Sequence, residues 1–278
     1  MSVAQLTDTH IVREGTTYFG IDTAQYLADA IDAVNALALP PDYAVITGDI
    51  ANFGSAAEYA RFREIMTALQ VPYFVIPGNH DDRDRMRAAL PPHTYGGSTD
   101  ARVRYAVDEF AIRLVGLDEN FLRPWPGALL DRDSAAWLER TLAARRDSPT
   151  IVAVHQPPFR TGLHYLDVGG FLGRRRLRRI VDRHPQVSRV ISGHIHCVRS
   201  AQWKGATAIS APSTAPQVLP LLFMEGKVLG IRHEPPGFSL HALAPDATVT
   251  TAVYRRDDSG SYNPVDARNM RRSAHGTV

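Results

Sequence analysis

Residues 43–49 (YAVITGD) and residues 73–81 (YFVIPGNHD) decide the fold, because each joins a short apolar run to a glycine and then to a side chain that can bind metal. Valine, isoleucine and aromatic residues fill both runs, which is typical of buried β-strands. Ser55 lies between the runs and can cap a helix that continues to Leu69. A strand, a helix and a second strand in this order indicate an α/β sheet.

Three more apolar runs are followed at once by metal-binding residue types. These are VAQLT before Asp8 and His10, TIVAV before His155, and RVIS before Gly193-His194-Ile195-His196. Residues just past the carboxyl ends of strands converge in one crevice of an α/β sheet. A single Asp-x-His or Gly-Asp occurs often by chance, whereas five ordered matches after strand-like runs are rare. The pattern therefore predicts one metal-binding crevice.

The spacing within the motifs also suits metal binding. Asp8 and His10 are two residues apart, as are His194 and His196, so each pair shares one face of an extended segment. The glycines that precede Asp49, Asn79 and His194 allow the backbone to turn sharply close to an ion. Imidazole and carboxylate ligands suit manganese, iron, cobalt or zinc better than calcium.

The remaining patterns predict an α/β (α+β) fold, a four-layer αββα sandwich with two packed mixed β-sheets and helices outside. Further helices are predicted over 22–39, from Asp133-Ser134, and over 174–181, and a hairpin is predicted from 102–107 and 112–117. Four later runs, 206–210, 227–231, 238–243 and 248–254, indicate strands in an antiparallel edge or second sheet. We expect a single domain over 1–278, with a motif-bearing core (1–215), C-terminal strands (216–254) and a loose polar tail (255–278).

Composition limits the classes of partner. The 278 residues carry 31 basic and 29 acidic side chains, a balance that does not favour nucleic acid or membrane. The five arginines in 174–179 are typical of a solvated helix face rather than a nucleic-acid patch. The single cysteine, Cys197, allows no internal disulfide and is expected to be a small buried residue. We expect a cytoplasmic protein, because no signal peptide or apolar span is evident.

The ordered motifs resemble those of the calcineurin-like metallophosphoesterase superfamily, over roughly residues 3–215. Within it, the match is closest to bacterial class III cyclic-nucleotide phosphodiesterases and the related glycerophosphodiesterases. Supporting features are Asp81-Asp82 after Gly-Asn-His, the loop 18–22 (YFGID) and the segment 106–110 (AVDEF). At 155–158 the chain has His-Gln-Pro-Pro where the subgroup often has His-His-Pro. Gln156 thus replaces the second histidine, and no role of that histidine is carried over to this chain.

The resemblance implies a ligand set of seven residues. Asp8, His10, Asp49 and His196 would hold a first metal, and Asp49, Asn79, His155 and His194 a second, with Asp49 bridging. An amide is a weaker donor than a carboxylate, so the Asn79-bound metal is hypothesised to be the more labile. A metal titration with two equally tight sites would count against this.

The resemblance also implies two-metal hydrolysis, in which a hydroxide that bridges the ions attacks phosphorus in line. Asp49 and His80 would be catalytic, with His80 assisting the leaving group, and Asn79, His80 and His194 would contact the phosphate. Asn52 stands where purple acid phosphatases have a tyrosine ligand. The segment 50–53 (IANF) lacks the Asp-Arg-Gly of Ser/Thr protein phosphatases, so both branches are disfavoured.

Several alternatives stay open at this point. The resemblance implies a small phosphodiester as the substrate. A cyclic nucleotide such as cAMP and a glycerophosphodiester fit equally well, because the shared motifs do not separate them and loops such as 11–22 and 160–172 would set the choice. A nuclease would bind DNA in a salt-dependent manner, and a metal-free scaffold would have lost ligands. His164 is a candidate for the substrate cleft, Trp125 for base stacking or a subunit contact, and the C-terminal strands for a homo-oligomer interface.

Overall fold

The computed structural model describes residues 1–120, 127–163, 167, 169–215, 217–218, 231–232, 236–246, 248–257 and 259–265. Five α-helices lie within these ranges: α1 (Thr23–Asn35), α2 (Ala56–Met66), α3 (Arg83–Ala89), α4 (Arg132–Ala143) and α5 (Arg174–Val181). A 3₁₀-helix spans Pro92–Tyr95. The strands are β1 (Ser2–Leu6), β2 (Tyr43–Thr47), β3 (Tyr73–Ile76), β4 (Arg104–Val107), β5 (Arg113–Leu117), β6 (Ala128–Leu129), β7 (Thr150–Ala153), β8 (Phe171–Leu172), β9 (Val187–Ser192), β10 (Ser200–Gln202), β11 (Thr207–Ser210), β12 (Gln217–Val218), β13 (Ile231–Arg232), β14 (Gly237–Leu243), β15 (Val249–Arg256) and β16 (Tyr262–Pro264).

Two mixed six-stranded sheets form the centre of the molecule. The first has the order β16-β15-β14-β1-β2-β3, and the second has the order β10-β11-β9-β7-β5-β4. In the first sheet β1, β2 and β3 are parallel, and β14, β15 and β16 extend it as an antiparallel edge. In the second, β5, β7, β9 and β11 are parallel, and β4 and β10 are antiparallel edges. Both sheets therefore align parallel strand ends, as the motif pattern requires.

The helices cover the outer faces of the two sheets. Leu27 and Ile31 of α1 and Phe62 of α2 are buried in one cluster with the first sheet. Leu138 of α4 and Leu177 of α5 are buried in a second cluster with the second sheet. Helices outside two packed sheets give four layers, so the predicted αββα architecture is confirmed.

Polar contacts join the facing sides of the two sheets. The Tyr43 hydroxyl donates to the Ile112 carbonyl at 2.9 Å, and the Tyr105 hydroxyl donates to the Val75 carbonyl at 2.8 Å. The Gln5 amide in β1 donates to the Ser192 carbonyl at the end of β9 at 2.9 Å. These contacts fix the strand ends of one sheet opposite those of the other.

Local sequence explains most helix starts. Asp22 caps α1, and the predicted cap Ser55 forms a reciprocal capping box with Glu58 at the start of α2. Both helices end earlier than predicted, α1 at Asn35 rather than Leu39 and α2 at Met66 rather than Leu69. The start predicted at Asp133-Ser134 was late by one or two residues, because the Asp131 side chain accepts from the Ser134 amide at 2.7 Å and caps α4 from Arg132. Helix α5 spans 174–181, as the sequence indicated.

The tail prediction needs correction for residues 255–264. Strand β15 continues to Arg256, and β16 pairs with it through Arg256 and Tyr262. This edge is ordered because the Tyr262 ring packs 5.7 Å from that of Phe238, and Arg256 forms an ion pair with Asp29 at 3.0 Å. The hairpin and three of the four C-terminal strand predictions are confirmed, and 227–230 of the fourth lie outside the described residues. Within the described part of the chain, no helix has the length and apolarity needed to cross a membrane.

Candidate metal centre

The predicted ligands lie at the carboxyl ends of five parallel strands. Asp8 and His10 follow β1, Asp49 follows β2, and Asn79 follows β3 in the first sheet. The second sheet supplies the others: His155 follows β7, and His194 and His196 follow β9. Because the two sheets face one another, these loops meet along one edge of the sandwich.

The structure brings the predicted ligands into two adjoining clusters. One contains Asp8, His10, Asp49 and His196, and the other contains Asp49, His155 and His194, with ligand atoms within 4.8 Å of one another in each. Asp49 is common to both clusters. Asn79 joins the second, because its Oδ1 lies 3.0 Å from His155 Nε2. The spatial convergence expected from the motifs is therefore present.

Distances within the first cluster suit a shared cation. His10 Nε2 lies 3.1 Å from His196 Nε2 and 3.7 Å from Asp49 Oδ2, and His196 Nε2 lies 3.4 Å from Asp8 Oδ1. The other ring nitrogen of His10, Nδ1, lies 3.1 Å from Asn52 Oδ1 and can donate to it. That hydrogen bond leaves Nε2 as the ligand atom, which is how metal-binding histidines are commonly oriented.

The second cluster orients His155 in the same manner. Its Nδ1 donates to the Thr47 carbonyl at 2.8 Å, since a carbonyl oxygen can only accept. The lone pair of a neutral Nε2 then points toward Asp49 Oδ2 at 3.4 Å and Asn79 Oδ1 at 3.0 Å. His155 Nε2 and these two oxygens are all acceptors, so a cation or an added proton is needed between them. The donor set therefore fits a bound metal ion.

Five of the predicted ligands have left-handed backbone conformations. The φ values are 51° for Asp8, 41° for His10, 50° for Asp49, 68° for His194 and 54° for His196. This region is uncommon for residues other than glycine, although aspartate and histidine tolerate it better than most. Each such residue costs on the order of 1 kcal/mol, and such strain is concentrated at functional sites. The loops are shaped for the site rather than for local stability.

Two glycines make the close approach of these loops possible. A Cβ on Gly78 would lie 2.1 Å from Asp49 Oδ1, and a Cβ on Gly48 would lie 2.4 Å from His155 Nδ1. Real Cβ atoms do not come so close to other atoms. Side chains at these positions would displace two of the ligands, so space requires both glycines, and at Gly48, where φ is 95°, the backbone conformation requires one as well.

Burial and mutual charge shift the pKa values of the cluster. Burial lowers the pKa of His10 and of His194 to about 3. Burial alone would raise the pKa of Asp49, but His155 and His80 outweigh it and hold that pKa well below the usual range. Burial opposes a charge on His155, yet Asp49 raises its pKa to about 10. Without a metal, His155 therefore keeps its proton beside the Asp49 carboxylate. A bound cation would take the place of that proton.

His80 lies beside the clusters rather than within them. Its backbone N–H donates to Asp49 Oδ1 at 2.9 Å, and its Nδ1 donates to the Asn52 carbonyl at 2.8 Å. The ring is half-buried and meets the His10 ring edge-on, with centroids 4.7 Å apart. Nε2 of His80 is therefore the nitrogen left for a substrate.

Asp81 holds two of the ligand loops together, a role that the sequence motifs did not predict. Its carboxylate accepts from the backbone N–H groups of Ile50, Ala51 and Gly78 and from the Tyr59 hydroxyl, at 2.8–3.1 Å. Burial, together with Asp49, raises the pKa of Asp81 to about 6. The signal was its position directly after Gly-Asn-His.

The sequence motifs did not identify Glu119 as a site residue. It follows β5, so a sixth strand end points a carboxylate at the site. Oε1 accepts from the backbone N–H groups of His155 at 2.9 Å and Gln156 at 2.6 Å, while Oε2 has no hydrogen-bond partner in the described part of the chain. Burial raises the pKa of Glu119 to about 7. Asp118-Glu119-Asn120 after the apolar run 114–117 was the available signal.

The remaining candidates have other locations. Cys197 is buried with Leu163 and Ile195, as expected of a small core residue. Four of the five arginines of the 174–179 run are exposed on α5. His184 and His241 are buried histidines with hydrogen-bond partners in the described structure. Trp125 and His164 lie outside the described residues.

Comparisons with known proteins support this picture. Residues 1–198 match the family model described as Calcineurin-like phosphoesterase. A probable glycerophosphodiester phosphodiesterase GpdQ from Arcobacter nitrofigilis is 31% identical over 90% of this chain and 92% of that protein. The 3',5'-cyclic adenosine monophosphate phosphodiesterase CpdA of Escherichia coli K12 is 28% identical over 92% and 90%. A solved dimetal phosphatase from Danio rerio has a TM-score of 0.68 at 14% identity, covering 91% of this chain and 94% of that chain, which shows a shared fold.

Proposed function

Because the chain belongs to the calcineurin-like phosphoesterase family, we propose that it is a dinuclear metal-dependent phosphodiesterase acting on small phosphodiesters. The observation that carries this proposal is the pair of adjoining clusters that share Asp49. An ionised carboxylate has two oxygens and can bridge two cations, whereas a neutral imidazole offers a single acceptor nitrogen. Relatives named for glycerophosphodiesters and for cyclic AMP make both kinds of diester candidate substrates.

The donor set assigns a role to each ligand. Asp8, His10, Asp49 and His196 would hold one cation, and Asp49, Asn79, His155 and His194 would hold the other. Nitrogen and oxygen donors in this mixture suit iron, manganese, zinc or cobalt. Bound there, the two cations would supply Lewis-acid activation of water and neutralise charge on the phosphoryl oxygens.

The protein's own groups position the substrate and move a proton. His80 is anchored through its backbone N–H to Asp49 and through Nδ1 to Asn52, which holds its ring beside the clusters. Nε2 can therefore contact a phosphoryl oxygen and deliver a proton to the leaving-group oxygen. Asn79 and His194 flank the same space and would contact the phosphate together with His80.

Hydrolysis of bis(p-nitrophenyl) phosphate by the Asp49→Asn variant tests the proposal. We expect manganese to support activity, a chelator to abolish it, and Asp49→Asn to lower it by more than about 100-fold, since even groups that only orient ligands contribute about 10- to 100-fold. Asp84→Asn is the matched control, because the Asp84 carboxylate is exposed on α3. Near-normal turnover by Asp49→Asn, or activity indifferent to chelator, would refute the assignment.

A parallel screen separates the substrate classes and the alternative functions. Cyclic AMP, glycerophosphocholine and single-stranded DNA are offered to the manganese-loaded protein under identical conditions. Hydrolysis of a small diester without cleavage of DNA is expected. Cleavage of DNA alone would favour a nuclease, and inactivity toward all three would favour a scaffold.

A further inference from the structure

Two phenylalanines project from the loops around the metal centre. Phe19 is 57% exposed and Phe53 is 70% exposed, and the other aromatic rings that the structure describes are buried or half-buried. An isolated exposed apolar residue needs no explanation. Two exposed phenylalanines in loops that carry residues of the same site call for one.

The backbone at Phe19 is unfavourable for an aromatic residue. Tyr18 and Ile21 exchange two backbone hydrogen bonds of 2.9 and 3.0 Å, which closes a two-residue turn. The central residues, Phe19 and Gly20, have φ values of 50° and 79°. A turn with two positive φ values favours asparagine or glycine at its first central position. Neither turn chemistry nor core packing explains the phenylalanine, and such uncompensated strain points to function.

A stack of rings connects Phe19 to the metal centre. The Tyr18 ring lies over that of His10, a predicted metal ligand, with centroids 4.9 Å apart and planes 12° from parallel. The Phe19 ring contacts Tyr18 in a T-shaped arrangement at 4.5 Å. Tyr18 therefore supports Phe19 at the edge of the site, and much of the Phe19 ring remains open to solvent.

Phe53 lies in a second loop, next to a residue that contacts two histidines of the site. It directly follows Asn52, whose side chain contacts His10 Nδ1 at 3.1 Å and whose carbonyl accepts from His80 Nδ1 at 2.8 Å. Its own backbone N–H is fixed by Glu58 Oε2 at 3.2 Å. The Phe53 backbone is thus rigidly tied to the histidine proposed to contact the phosphate.

We propose that Phe19 and Phe53 contact the organic group of the diester, and that this group is a nucleobase. The inference rests on the proposed diesterase function and selects one substrate class within it. A nucleobase presents a flat π face that stacks on exposed aromatic rings. A glycerol moiety presents hydroxyl groups and gains little from a phenyl ring, so the two exposed rings favour a cyclic nucleotide.

The ratio of kcat/KM for cyclic AMP to that for glycerophosphoethanolamine measures this preference. Phe19→Ala and Phe53→Ala are each expected to lower the ratio by roughly 5- to 100-fold, the range that one base–aromatic stack contributes, and the double variant is expected to lower it at least as much as the more affected single variant. The loss is expected mainly in KM, and Phe19→Trp is expected to keep the ratio. Leu39→Ala is the control, since Leu39 is an 83% exposed apolar residue in the α1–β2 loop.

Misfolding is controlled by Phe19→Asn, which removes the ring but suits the turn. An unchanged ratio in Phe19→Asn and Phe53→Ala, or wild-type protein that cleaves glycerophosphoethanolamine but not cyclic AMP, would overturn the nucleobase assignment and leave the diesterase proposal intact. A larger loss with glycerophosphocholine than with cyclic AMP would replace stacking by cation–π binding of an ammonium group. Wild-type protein inactive on every diester would instead refute the proposed function.

Discussion

Among individual residues, Gly78 shows that the metal centre depends on the lack of a side chain at one position. Gly78 has no Cβ, and the Asp49 carboxylate and backbone N–H occupy the space where one would lie, at 2.1 and 2.2 Å. The backbone N–H of Gly78 also donates to Asp81 at 2.8 Å. One glycine therefore adjoins the proposed bridging carboxylate and a hydrogen bond that joins two ligand loops.

Replacing Gly78 by alanine should displace Asp49 and weaken metal binding. The inserted methyl group cannot be accommodated without moving the loop, so we expect at least a 10-fold rise in the manganese concentration for half-maximal diester hydrolysis, comparable to the loss of a group that orients a ligand. The manganese dependence of hydrolysis measures this. Gly205→Ala is the matched control, because a Cβ there meets nothing within 4 Å. An unaltered manganese dependence in Gly78→Ala would contradict the steric argument.

The sequence predicted the convergence of the ligands but not the groups that hold them. Asp8, Asp49 and His155 each follow an apolar run directly, and that pattern is visible in one dimension. Glu119 also follows a strand, yet its contact is with backbone N–H groups of a loop 36 residues away, which no local pattern encodes. Asn52 is tied to His10 over 42 residues. Such long-range hydrogen bonds depend on sheet order, which spacing alone does not give.

At the element scale, short elements were the ones that sequence patterns missed. Helix α3 has seven residues, and Met86 is the only one of them that is buried, so it has no apolar period to detect. Strands β6 and β8 have two residues each and form a separate two-stranded sheet by pairing with each other. The longer elements, such as α1 and β2, combine a buried face with an end signal and were predicted.

Helix α3 is fastened to the second sheet through a buried ion pair. Arg83 Nε lies 2.5 Å from Asp118 Oδ2, and Arg83 Nη2 lies 2.8 Å from Asp118 Oδ1 and 2.9 Å from the Asn120 carbonyl oxygen. Asp118 is fully buried. Its side chain also accepts from the Val103 and Asn120 backbone N–H groups. The pair thus links the start of α3 to the end of β5.

Arg83→Ala should be strongly destabilising, because it leaves the Asp118 carboxylate buried without its cation. Removing one partner of a buried pair costs about 3–5 kcal/mol, and the remaining N–H donors place the expected loss at the lower end of that range. Urea denaturation at pH 7 measures it. Arg179→Ala on the exposed face of α5 serves as the control and should change the free energy of unfolding by less than about 0.5 kcal/mol. Equal effects of the two substitutions would show that the ion pair contributes nothing.

In the molecule as a whole, a network of buried hydrogen bonds joins the two sheets beneath the metal centre. His241 Nδ1 contacts the Thr251 hydroxyl at 2.9 Å, and its Nε2 contacts Gln5 Oε1 at 3.0 Å. The Gln5 amide donates to the Thr47 hydroxyl and to the Ser192 carbonyl, both at 2.9 Å. Thr47 and Ser192 end β2 and β9, just before the ligand loops. The sequence predicted both strands but not this network, because its partners other than His241 and Thr251 lie at least 42 residues apart along the sequence.

Because His241 is buried in this network, the folding stability of the protein depends on pH. Burial, with a smaller effect of Arg189, lowers the pKa of His241 to about 3, whereas an unfolded histidine has a pKa of about 6.5. Between these values the unfolded state binds a proton that the native state excludes. Stability from this residue is therefore complete above about pH 6.5 and falls as the pH decreases toward 3, by up to about 1.4 kcal/mol per pH unit.

His241→Asn should flatten this dependence, because asparagine can hydrogen-bond to Gln5 or Thr251 without titrating. Urea denaturation of metal-free protein at several pH values from 4.5 to 7.5 gives the slope, and chelator keeps metal binding from contributing. We expect the variant to be less stable than wild type near pH 7.5 and to lose less stability toward pH 4.5. His93→Asn, at an exposed position, should retain the wild-type slope. Parallel curves for wild type and His241→Asn would mean that the proton is taken up elsewhere, with His10 and His194 next to examine, since burial also lowers their pKa values to about 3.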